Sequence, residues 1–204
     1  DTPTGKGFAN SIKLQCTTAD ASLGGSDSMA FDYRFEGQQV QLFKKGTSSA
    51  ETYTVAFYVK SNKTGTYTAE LFDNDNDRQV SQAYTISSAN TWEQKVLNFP
   101  ADTTGTFDKD VNRSLTVTLF LAAGTGFSSG TLNTSWASTV SANRLSPSQV
   151  NLADSTSNNW SITGLQLEVG TYTSSTLPPF QHQSLEDTLR RCQRYYQRAK
   201  FPNN

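Results

Sequence analysis

Several groups of residues in this chain have types and spacings that can support chemistry. Gly126-Phe127-Ser128-Ser129-Gly130 has the form G-x-S-x-G. In a nucleophile elbow that serine sits on a sharp strand-to-helix turn with a base in reach. Here Thr131-Leu132-Asn133-Thr134-Ser135 carries no helical pattern, and the single histidine, His182, stands more than fifty residues on, beside Pro178-Pro179. The stretch is expected to be a small-residue loop. Asp73, Asp75 and Asp77 have the spacing of a calcium loop, but an EF-hand needs Gly at its sixth position and Glu at its twelfth. Those positions hold Arg78 and Tyr84. The expectation is a hydrated hairpin tip, with a loose Ca²⁺ site as the alternative if the fold brings Asp102, Asp108 or Asp110 alongside. Otherwise no cofactor is expected. Glycoside hydrolysis needs two carboxyl groups about 5 to 9.5 Å apart in a cleft. Glu51, Glu70, Glu93 and Glu168 are spaced singly, and nothing selects a pair.

Trp136 is a different kind of candidate. It lies among Asn133, Thr134, Ser135, Ser138 and Thr139, with Asn143 and Arg144 close behind. An aromatic ring ringed by short hydrogen-bonding side chains suits a sugar, which stacks its C–H face and bonds sideways through its hydroxyls. The same setting suits a loop anchor or a subunit contact. Trp136, Asn133, Asn143 and Arg144 are therefore the glycan or interface candidates. Trp92 and Trp160 open strands, where packing in or at the edge of the core is expected.

These residues must be held by strands, because the apolar period is two almost everywhere. Phe31, Tyr33 and Phe35 alternate, as do Val40 and Leu42, and Tyr53, Val55, Phe57 and Val59. After the turn Ser61-Asn62-Lys63-Thr64-Gly65 comes Tyr67, Ala69, Leu71, and Val80 to Ile86 returns beyond the Asp/Asn tip as a hairpin. Lys95 to Phe99 stops at Pro100; Leu115, Val117, Leu119 and Leu121 follow. Trp160 and Ile162 have one parity, Leu165, Leu167 and Val169 the other, and a β-bulge at Gly164 would return all five to one face. The fold class is all-β: an antiparallel β-sandwich or jelly roll with one C-terminal amphipathic helix.

The sandwich is expected to span 1–180 as one domain, with 122–159 as a long polar loop. Loops of that length are usually functional or disordered. Within 181–204, Leu185, Leu189, Cys192 and Tyr196 recur at helical spacing, predicting a helix over 185–199 that Ser184 and Asp187 cap and Pro202 ends. Arg190, Arg191, Arg194, Arg198 and Lys200 fall at its end, where the helix dipole favours cations. Its apolar face is expected to dock on the sandwich or on a partner copy.

Composition narrows the function classes. The hydrophobic fraction is 35% and charged residues are 17%, against about 25% in ordinary domains, with Ser and Thr supplying a quarter of the chain. No apolar run approaches the ~20 residues of a spanning helix, so membrane insertion is not expected. With 17 basic and 18 acidic residues there is no field to steer the chain to nucleic acid. Cys16 and Cys192 are too few for a disulfide framework, and two free thiols are expected rather than one long-range bridge. The start at Asp1, without Met, reads as a piece of a longer or processed polypeptide.

Three stretches together carry a family resemblance. They are Thr131-Leu132-Asn133-Thr134-Ser135-Trp136-Ala137-Ser138-Thr139 with Ala142-Asn143-Arg144 and Gln149-Val150-Asn151-Leu152; Trp160 to Gly170; and Pro179 to Ser184 with Cys192-Gln193-Arg194-Tyr195-Tyr196. In that order, over residues 30 to 198, the chain resembles a domain recurring in tail-fibre and other virion structural proteins of tailed bacteriophages, notably marine ones. The resemblance implies a jelly roll similar to carbohydrate-binding modules, carried on a virion appendage. The family often has a Glu-His-Arg-like triplet where this chain has Gln181-His182-Gln183, so an ion pair made by that Glu or Arg is missing here. The family offers no catalytic residue to carry over.

The expected function is accordingly that of a non-enzymatic virion structural protein, a tail-fibre or other appendage tip attaching to host-surface glycan. Its expected partners are its own copies in a homotrimer and other virion proteins. Two alternatives are a carbohydrate-binding module of a secreted polysaccharide-degrading enzyme and a capsid decoration or head-fibre protein.

Overall fold

The computed structural model describes residues 1–196 and 198. Among the described residues, nine strands form two antiparallel sheets: β1 (Ile12–Gln15), β2 (Ser28–Glu36), β3 (Tyr53–Ser61), β4 (Gly65–Asp73), β5 (Arg78–Ile86), β6 (Glu93–Phe99), β7 (Arg113–Ala123), β8 (Ala137–Ser138) and β9 (Asn159–Val169). One sheet has the order β1-β9-β3-β6 and the other β2-β7-β4-β5-β8. The pairings nest: β4 with β5, β3 with β6, β2 with β7, β1 with β9. A chain folded back on itself and then rolled into two layers gives this order, so the sandwich is a jelly roll.

Alternation decides which face is inside. Tyr53, Val55, Phe57 and Val59 of β3 meet Leu115, Val117, Leu119 and Leu121 of β7 in one buried cluster, closed by Trp160. The other face of β3 is covered too. Thr54 Oγ1 donates to Asn98 Oδ1 (2.6 Å) and to Gly170 O (2.7 Å), and Asn98 Nδ2 donates to Tyr172 O (2.9 Å).

Gly164 makes the predicted bulge. Pairing runs Ala56 to Gln166, then jumps to Tyr58 opposite Thr163, so Phe57 faces two residues. Gly164 has φ 63°, and a Cβ there would run into the Phe8 ring. The bulge turns Leu165, Leu167 and Val169 back onto the core that Trp160 and Ile162 enter.

Three expectations need correction. Val40 and Leu42 are not a strand: Gly37–Gln39 and Gln41–Phe43 are 3₁₀ helices, whose period of three buries Val40 with Phe43 and exposes Leu42. Residues 122–159 are not a plain loop. After β7 ends come α1 (Thr125–Ser128), β8 on the edge of β5, and 3₁₀ turns at Ser141–Asn143 and Leu152–Asp154, with Leu145 and Leu152 fully buried. The C-terminal helix α2 is Leu185–Gln193, shorter than 185–199; Tyr196 N–H still donates to Cys192 O (3.0 Å). The expected stop at Pro202, and Lys200, lie outside the described residues. Ser184 caps α2 as expected, accepting from Asp187 N–H (3.1 Å). Cys16, buried, and Cys192, exposed, are free thiols. No helix among the described residues is long and apolar enough to cross a membrane.

Candidate functional site

The acidic hairpin tip between β4 and β5 does gather carboxylates, but around a lysine. Lys45 Nζ lies 2.5 Å from Asp73 Oδ2 and 3.0 Å from Asp102 Oδ2, and donates to the carbonyls of Thr104 and Gly105 (both 2.8 Å). Arg78 clamps Asp102 with Nε and Nη2 (2.8 and 3.1 Å). Burial pushes the Asp102 carboxyl up, but hydrogen bonds from Arg78, Lys45 and the Thr104 N–H outweigh it and hold the group below the usual carboxylate range. Asp75 accepts from Asp108 N–H, and Asp77 lends its carbonyl to Thr139. Of the carboxylates named for the loose Ca²⁺ alternative, Asp73 and Asp102 face the Lys45 ammonium, while Asp75 and Asp77 make the separate contacts just given. Among the described residues no three His, Cys, Asp or Glu side chains are grouped to hold a metal.

Trp136 belongs to the same cage. Lys45 Nζ sits over its ring at 5.1 Å, Tyr53 packs at 5.8 Å, and its Nε1–H donates to Pro100 O (2.9 Å). Of the readings at Trp136, the loop anchor is the one this geometry describes. Asn133 and Asn143 are brought together, Asn133 N–H donating to Asn143 O (3.0 Å), while Asn143 Oδ1 accepts from Thr131 N–H (3.1 Å). Arg144 makes a two-pronged bond to buried Glu70 (2.9 and 2.6 Å), with its guanidinium against Phe72, Phe120 and Phe127. Trp136 and Arg144 thus tie the segment 122–159 to the sandwich by their side chains, Asn133 does so by its backbone carbonyl, which accepts from Ser81 N–H (2.6 Å), and Asn143 bonds within the segment.

The G-x-S-x-G serine, Ser128, ends the single turn α1, and His182 packs on Phe8 and Phe180, with ring centroids 5.7 and 5.0 Å away. The four glutamates are each engaged separately: Glu51 with Lys44, Glu70 with Arg144, Glu93 with Lys95, Glu168 with Gln166.

An open site lies where one edge of the sandwich stands apart. β1 pairs with β9 only through Ile162, just short of the bulge. Beyond it, among the described residues, β9 pairs only with β3. Opposite runs β2, an edge strand whose Tyr33 and Phe35 share the core face of Val117 and Leu115. Tyr33 remains 48% exposed, its ring 4.8 Å from that of Phe35.

Two clefts share those rings and run under α2. The smaller, about 360 Å³, adds Leu165, Leu167, Phe180 and His182. The larger, about 660 Å³, holds Gln38, Gln39, Tyr195 and four of the chain's eight arginines: Arg34, Arg113, Arg191 and Arg194. Arg34 is near Asp32, and Arg194 and the Tyr195 hydroxyl bond to Glu36. Arg113 and Arg191 form no ion pair among the described residues. Periodicity marked Tyr33 as a strand residue but gave no sign that it stands at an open edge. That position depends on strand order.

No family model matches the chain, and no curated protein does. A solved structure described as "CBM4 structure and function" matches at 11% identity and TM-score 0.36, over 78% of this chain and 94% of that one. The assignment of the jelly roll rests on the strand pairing itself.

Proposed function

We propose that this chain is a non-catalytic attachment module of a tailed-phage virion appendage, the distal part of a tail fibre, and that it holds a host-surface saccharide in the edge cleft. The virion reading is supported by the residue resemblance over 30 to 198. The ligand reading is carried by one observation: a cleft of about 660 Å³ where exposed tyrosines, two carboxamides and two arginines without a carboxylate partner converge. Tyr33 and Tyr195 offer ring faces to the C–H side of a pyranose, and Gln38 and Gln39 offer both donors and acceptors to hydroxyls. Arg113 and Arg191 suit a carboxylate, since a guanidinium matches it with two parallel bonds. The ligand class is therefore an acidic saccharide.

Titration calorimetry with polygalacturonate and with neutral dextran tests this. Binding of the acidic polymer alone is expected, weakening as salt rises. Arg113→Ala and Tyr33→Ala are each expected to weaken it at least about tenfold, the loss of one charged or stacking contact. Equal binding of dextran would overturn the acidic class. Absence of binding across a glycan array would overturn attachment and favour a purely structural capsid protein.

A further inference from the structure

The ligand reading leaves the smaller cleft unused, and its chemistry is unlike that of the larger one. Tyr33 and Phe35 line both, so a ligand lying across those rings touches both. The larger cleft carries four arginines against Glu36. The smaller is lined by no arginine or lysine, and its one carboxylate is Glu168. Val117, Leu165, Leu167 and Phe180 give it apolar walls. The backbone adds a fixed polar feature. Gly170 N–H donates to Thr52 O (2.9 Å), which makes that pair, and with it Thr54–Glu168 and Ala56–Gln166, the hydrogen-bonded pairs of the β3–β9 ladder. Leu167 stands between them and turns its N–H and C=O the other way, to the side where β1 has already ended. Among the described residues neither group has a partner. A half-buried amide beside apolar side chains needs water or a ligand to pair it.

We propose that the smaller cleft seats an uncharged, N-acylated sugar unit adjoining the acidic unit held in the larger cleft. The inference rests on the acidic-saccharide reading and narrows it. Charge makes the first selection. A uronate in the smaller cleft would meet Glu168 and apolar walls, with no cation to repay its lost hydration. A uniform polyanion therefore fills one cleft, whereas a saccharide alternating charged and uncharged units fills both. The backbone and the walls make the second selection. The amide of an acyl substituent pairs with the Leu167 N–H or C=O as a neighbouring strand would, and its methyl group lies against Val117, Leu165 and Phe35. A hydroxyl in the same place would satisfy the backbone but leave those side chains facing water.

Calorimetry on the whole chain compares three hexasaccharides at one salt concentration: a hyaluronan fragment, which alternates glucuronate with N-acetylglucosamine; a fragment alternating glucuronate with glucose; and hexagalacturonate. The hyaluronan fragment is expected to bind at least about tenfold tighter than either of the others, the joint effect of one buried methyl and one amide hydrogen bond. Thr188→Trp and Gln183→Trp each bring an indole into the smaller cleft from an exposed position. Each should erase that preference and leave hexagalacturonate binding unchanged, which also reports an intact fold. Equal affinity for the hyaluronan and glucuronate–glucose fragments would overturn the N-acyl assignment. Equal affinity for hexagalacturonate would overturn the alternation of charge. A preference that survives both indole variants would overturn its placement in the smaller cleft. Binding of none of the three would instead defeat the acidic-saccharide reading beneath it.

Discussion

The cage around Lys45 and the edge cleft under α2 are made of the same materials, cations beside aromatic rings and carboxylates, and they behave oppositely. In the cage, Lys45 is sealed between Asp73, Asp102, Trp136 and Phe107 and every charge has a partner. In the cleft, Tyr33 is half exposed and Arg113 and Arg191 face open space. A buried charge must find its counter-charge within the chain or the fold fails. A charge at an open edge carries no such obligation and is free for a ligand. Residue type alone does not separate a structural site from a binding site; closure does.

Lys45→Met is the most severe way to break this comparison. It leaves Asp73 facing no cation and Asp102 only Arg78, and urea unfolding should show a loss of about 3–5 kcal/mol. Trp136→Ala comes next. Loss of the ring and of its bond to Pro100 should cost about 3 kcal/mol in the same measurement, while polygalacturonate affinity stays unchanged. Loss of affinity with stability intact would return Trp136 to the glycan candidates.

Acid gives a third, graded test. Asp102 titrates lower in the folded chain than in the unfolded one, so its contribution is present above the unfolded value of about 4 and fades as pH falls through the folded one. Asp154, held low chiefly by its bond from Lys63, adds in the same sense. Thermal melts should show these two contributions fading as pH falls below about 4. The smallest stability effect is expected at the cleft: Arg113→Ala should shift unfolding by no more than about 0.5 kcal/mol, since its guanidinium has no partner to lose.

The sequence was most informative where a signal is local. Alternation identified β3, β4, β5 and β7, and the parity change at Gly164 located the bulge, because each depends on residues a few positions apart. It misled at Val40 and Leu42, where two residues are too short a run to tell a period of two from one of three. It said little about 122–159, whose order comes from single anchors such as Leu145, Leu152 and Arg144, each reaching a distant strand. Asp73 shows the limit most clearly. Its partner, Lys45, stands 28 residues earlier in a segment without charge pattern, and only the nested strands bring them together. The cleft was invisible for a like reason: which strand ends up at an edge depends on strand order.

The glycine at position 164 has a further consequence. By turning β9 through one extra residue where β1 stops, it divides a single strand into two halves under different rules. Upstream, Trp160, Ser161 and Ile162 are clasped on both flanks, by β1 and β3, and a change of size disturbs two neighbours. Downstream, one flank is bare, so the lip of the cleft can alter its side chains while the body that carries it stays as it is. Deleting that one residue would rotate Leu165, Leu167 and Val169 to the far side of the sheet and remove the cleft's floor without touching any residue that lines the larger chamber.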